Sequence, residues 1–131
     1  MEEQRMANNE FNNIEEFIEG FTRKGQTPEK YTYDGIIWGI EFLYKEKYYR
    51  ITRDPVGLEK ELRIKFKKKE NAFITFFEIP KEQYPNSYNI PNDNYLGIYD
   101  DVNDLLDNAK IDGVPLRVVI PMEETTILAI D

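Results

Sequence analysis

The chain of 131 residues contains no histidine and no cysteine. Their absence excludes imidazole acid–base catalysis, serine–histidine and thiolate nucleophiles, iron–sulfur ligation and the usual zinc sites. Its seven glycines are scattered singly, so neither a phosphate-binding loop nor a dinucleotide fingerprint is present. Any chemistry would have to come from carboxylates, lysines, tyrosines or hydroxyls. Catalysis by a carboxylate pair requires a proximity that sequence cannot show. The expectation is a protein that is not an enzyme and needs no cofactor.

Three groups of residues could instead do recognition. The first is acidic: Asp100, Asp101, Asp104, Asp107 and Asp112, followed by Glu123 and Glu124. On a helix, Asp100 and Asp104 would share a face. The spacing fails the calcium-loop pattern, because leucines stand at Leu105 and Leu106 where an oxygen ligand and a glycine are needed. These carboxylates therefore read as helix-terminus charges and solvated surface, with no metal expected.

The second group is basic. Between Lys45 and Lys69 there are ten basic residues against four acidic ones, including Arg50, Arg63, Lys65, Lys67 and Lys68. Arg63, Lys65 and Lys67 alternate, so on a strand they would line one face. Such a row either solvates an antiparallel sheet or binds a polyanion.

The third group is aromatic. Tyr84, Tyr88 and Tyr95 lie in a stretch rich in Asn and Pro and follow no helical or strand period. That composition suits an adaptable recognition loop, or a surface loop whose tyrosines pack back on the domain.

The elements that must position these groups follow from periodicity. Residues 1–10 read as a flexible leader and 11–131 as a single α+β domain. Ile14, Phe17, Ile18 and Phe21 form one apolar stripe after a cap at Asn12 or Asn13, predicting an N-terminal helix that stops at Gly25. An antiparallel sheet of two hairpins should follow. In the first, Ile36, Trp38, Ile40, Phe42 and Tyr44 share a face and Lys45-Glu46-Lys47 is the turn. In the second, Leu62, Ile64 and Phe66 pair with a strand from Ala72 to Ile79. Residues 80–96 form a long Tyr/Asn/Pro loop. A short second helix runs from Asp100 or Asp101 to Lys110, with Val102, Leu105, Leu106 and Ala109 buried. A C-terminal strand pair is expected at Leu116 to Ile120 and Thr125 to Ile130.

Charge completes the picture. The net charge is −8, and from Pro91 to Asp131 nine acidic residues face two basic ones. Such a chain is disfavoured on nucleic acid or anionic lipid and favoured on basic proteins. No signal sequence or membrane span is visible, which predicts a cytoplasmic home. Fifteen isoleucines and eleven asparagines against four alanines suggest an AT-rich genome, of a phage or mobile element for example. The composite expectation is an acidic protein-binding module, an inhibitor or immunity protein that covers the basic surface of a nuclease or toxin. Its contact residues would be Asp100, Asp101, Asp104, Glu123, Glu124, Tyr84, Tyr88 and Tyr95. The competing expectations are a nucleic-acid or nucleotide binder using residues 45–69, and a domain with a small-ligand pocket.

Overall fold

The computed structural model describes residues 39–53, 64–66 and 74–130. The expected leader and N-terminal helix, Ile36, Trp38 and half of the basic residues of the 45–69 stretch lie outside them. The described part is a sheet-dominated α+β fold. Its five-stranded antiparallel sheet consists of β1 (Gly39–Tyr44), β2 (Lys47–Arg53), β3 (Ile74–Ile79), β4 (Tyr95–Tyr99) and β7 (Thr126–Ile130), in spatial order β4-β3-β2-β1-β7. Between β4 and β7 come α1 (Val102–Asn108), a small hairpin of β5 (Lys110–Ile111) and β6 (Val114–Pro115), and α2 (Leu116–Val119).

Period-two alternation sorts the strands into two faces. Ile40, Phe42, Tyr44, Tyr49, Ile51, Ile74 and Phe76 point to one side, where α1 and α2 cover them with Val102, Leu105, Leu106, Leu116, Val119 and Ile120. The Phe42, Tyr49 and Phe76 rings stack at centroid separations of 5.3–6.4 Å. Each buried aliphatic or aromatic side chain contributes roughly 1.5–3 kcal/mol, so this layer is the main store of stability. The opposite face buries Phe77, Ile79, Ile90 and Ile98 in two smaller clusters.

That second face also buries charge. Glu41 stands opposite Arg50 in the β1–β2 register, and Arg50 Nη1 donates to Glu41 Oε2 at 2.9 Å. Arg50 Nε donates to Thr52 Oγ1 at 2.7 Å, which fixes the guanidinium plane. The guanidinium crosses directly over Gly39, where any Cβ would collide with it. Glycine here makes room for the ion pair.

Helix α1 begins as its sequence requires. Asp101 accepts from the Asp104 amide, and Asp104 Oδ2 accepts in return from the Asp100 amide, so two otherwise unsatisfied donors are paired. Val102, Leu105 and Leu106 are buried and the helix ends against Ala109, as the apolar spacing predicts.

Three expectations are corrected. Ile64 and Lys65 form a helical turn and Ile64 is 67% exposed, so no second hairpin pairs them with β3. Strand β3 pairs directly with β2 instead. Leu116–Val119 is helical, so there is no C-terminal strand pair: Leu116, Val119 and Ile120 fall at i, i+3 and i+4 and all point into the core. Strand β7 pairs with β1. Finally, Tyr95–Tyr99 is a strand inside and just beyond the expected loop. Its alternation is interrupted by a bulge at Leu96, the extra residue between the Phe77–Tyr95 and Phe76–Gly97 pairs. Leu128 is the matching extra residue on β7. Both edge strands thus carry a bulge with a partly exposed leucine, the distortion that keeps edges from pairing with other chains.

Candidate recognition surface

Antiparallel topology places two sets of residues at opposite ends of the sheet. The β1–β2 turn, the exit of β3 and the entries of β4 and β7 lie at one end. The exits of β2 and β4, with the entry of β3, lie at the other. Strands of six residues separate these ends by about 20 Å.

Asp100, Asp101 and Asp104 follow the exit of β4, so they sit at the far end from the β1–β2 turn. Asp100 and Asp101 are exposed, while Asp104 is half-buried and accepts from Asn108 Nδ2 as well. Asp107, farther along α1, pairs with Arg117 at 2.7 Å, and Arg117 also donates to Asn103. Glu123 and Glu124 are exposed in the loop leading into β7, hence at the opposite end. The five acidic residues singled out from the sequence therefore occupy two separate places. Among the described residues, no group of three or more carboxylates is arranged to hold a metal ion.

The tyrosines gather at the turn end, and only one of them faces solvent. Tyr84 lies flat on Tyr48, and its hydroxyl pKa is raised by burial, with Glu41 and Tyr48 adding to the effect. Tyr95 is tilted against Phe77 at 5.0 Å. Tyr88 is 78% exposed. The loop that carries it is braced from within. Gln83 Nε2 donates to the carbonyls of Asn86 (3.1 Å) and Tyr88 (2.7 Å), and the Tyr88 amide donates to Asn86 Oδ1 at 2.8 Å. The amides of Gln83 and Tyr84 both donate to the Pro80 carbonyl, and the Tyr84–Pro85 bond is cis. Farther on, Asn94 Nδ2 donates to the Glu78 carbonyl, tying the loop back to β3. Asparagines, read from sequence as loop composition, turn out with Gln83 to be its internal scaffold.

Of the basic residues, Arg50 is committed to Glu41 and Thr52 on the second face. Lys65 is exposed, donates to the Asn92 carbonyl at 3.2 Å and lies over the Phe66 ring. Arg63, Lys67 and Lys68 fall outside the described residues. Sequence reasoning passed over Lys47 and Lys81 as individuals. Together with Lys45, Glu46, Tyr48, Glu78 and Ile79 they line an open cleft of about 290 Å³ at the turn end.

The turn beside that cleft has an unusual residue choice. Lys45 and Glu46 both have positive φ, 50° and 68°, in a two-residue hairpin loop closed by the Tyr44–Lys47 pair. This geometry ordinarily selects Asn-Gly or Asp-Gly, and a side-chain-bearing residue held in it costs about 1 kcal/mol. The β5–β6 hairpin in the same chain uses the same backbone with the expected pair, Asp112 at φ 54° and Gly113 at φ 82°. The signal that could have exposed the cleft was therefore visible: a two-residue turn without asparagine, aspartate or glycine.

No helix among the described residues is long and apolar enough to cross a membrane. No protein-family model matches the chain, and no curated protein or solved structure shows significant similarity to it.

Proposed function

We propose that this chain is a non-catalytic protein-binding module that docks through the Tyr88 loop onto a basic partner, in the manner of an inhibitor or immunity protein. The observation that carries the reading is the contrast within the tyrosine loop. Tyr84 and Tyr95 are used for packing, whereas Tyr88 is held out at 78% exposure by hydrogen bonds from its own neighbours. An exposed aromatic on a pre-ordered loop binds at little further entropic cost, which is the property of an interface anchor. The net charge of −8 supplies long-range attraction toward a basic surface such as that of a nuclease or toxin. Glu123 and Glu124, at the same end of the sheet, would meet that surface directly. Asp100, Asp101 and Asp104, at the other end, would contribute to the field and the approach rate.

The test is site-directed photocrosslinking in the native host. A photoreactive phenylalanine analogue at position 88 should trap one basic protein, and the same analogue at Leu128 on the edge strand should not. Equal trapping from both positions, or none from position 88, would refute the reading.

A further inference from the structure

We propose that the cleft at the β1–β2 tip is a binding site for a small phosphate ester, with Lys45, Lys47 and Lys81 holding the phosphate and Glu46 and Glu78 accepting from its hydroxyls. The proposal goes beyond partner binding and uses different side chains.

Three observations carry it. First, the cleft is formed by the β1–β2 turn, the start of β2 and the end of β3, and its volume of about 290 Å³ suits a sugar phosphate or mononucleotide rather than a larger ligand. Tyr48 lines it beside the buried Ile79, and the Tyr84 ring lies flat on Tyr48.

Second, three lysines line the cleft. The two glutamates lining the same cleft take no lysine as an ion-pair partner among the described residues. Lys45 has its ammonium over the Tyr44 ring at 5.3 Å, a contact that leaves its donors available. Ammonium groups act as point charges suited to a tetrahedral phosphate, whereas a planar carboxylate is better met by an arginine fork. Carboxylates beside them complement hydroxyl donors on the same ligand.

Third, the turn is built from residues that its backbone disfavours. Lys45 and Glu46 both occupy left-handed conformations, although the chain uses Asp-Gly for the equivalent turn at Asp112 and Gly113. Local strain accompanied by side chains that line a cleft is the pattern of positions chosen for what they hold.

The experiment uses the full chain with inorganic phosphate, ribose 5-phosphate, adenosine 5′-monophosphate and ribose as probes, at about 10 mM and matched ionic strength. Thermal melting and titration calorimetry are the readouts. With dissociation constants on the order of 1 mM, the two esters should raise the melting temperature by about 2–6 °C. Inorganic phosphate should act more weakly and ribose not at all. Lys47→Ala with Lys81→Ala should weaken ester binding at least tenfold, as read by calorimetry, and leave the ligand-free melt unchanged. Lys45→Asn with Glu46→Gly should raise the ligand-free melting temperature and also weaken binding. Absence of ester binding in the wild type, or equal binding by the lysine variant, would overturn the proposal. So would an Asn-Gly turn that binds as well as the natural one.

Discussion

The ring of Tyr84 lies flat on the ring of Tyr48, with centroids 3.9 Å apart and planes inclined by 8°. One belongs to the long loop and the other to β2, so this stack joins the loop to the sheet. With the Gln83 and Asn86 hydrogen bonds it defines where Tyr88 stands.

Removing that ring should free the loop and spare the sheet. Tyr84→Ala is expected to cost about 1–2 kcal/mol in denaturant unfolding, from the lost stack and its buried area. Hydrogen exchange should accelerate at the amides of Gln83, Tyr84 and Tyr88, while β1 and β2 keep their protection. Uniform acceleration across the sheet would mean that the stack holds the whole fold and not the loop alone.

The Glu41–Arg50 pair should behave as a buried pair. Their side chains are 9% and 13% exposed, so removing either one breaks a largely buried ion pair. Glu41→Ala and Arg50→Ala are each expected to destabilise by about 3–5 kcal/mol, with the double replacement costing less than the sum. Urea denaturation of the four proteins gives the coupling. Gly39→Ala should lower stability as well, since the added methyl displaces the guanidinium from its place over the backbone.

Alkaline titration should report on Tyr49. Burial, helped by Glu78, Asp112 and Tyr44, pushes its hydroxyl up to about 12 from the usual 10. The folded state therefore favours the neutral form. The associated stability is complete below pH 10 and is lost as the pH rises toward 12. Tyr49→Phe should reduce this loss and shift the alkaline unfolding midpoint upward. Tyr99, raised by burial and by Asp104, would account for part of the remaining slope. An unchanged midpoint in Tyr49→Phe would show that the phenol already ionises freely.

Strong local patterns were legible in the sequence. The β1–β2 hairpin, β3, the capped start of α1 and its Val102, Leu105 and Leu106 stripe all follow from period and capping chemistry. The misreadings have physical causes. Leu116 to Ile120 is a short apolar run rich in β-branched residues, equally compatible with a strand, and burial against the sheet decides for the helix. Strand β4 was hidden because Leu96 interrupts its alternation. The candidate surfaces were less legible still. Chain order suggested one acidic face, but antiparallel connections carry Asp100 and Glu124 to opposite ends. Nothing in composition distinguished Tyr88 from Tyr84, because the difference lies in Tyr48, thirty-six residues before Tyr84 in the chain.

The central claim is that Tyr88 anchors a partner, and the direct measurement is the affinity of the photocrosslinked protein for wild-type chain and for Tyr88→Ala. The account predicts a loss of at least about 30-fold, corresponding to about 2 kcal/mol for an interface anchor, with unchanged stability of the free chain. Equal affinity of the two proteins would contradict it.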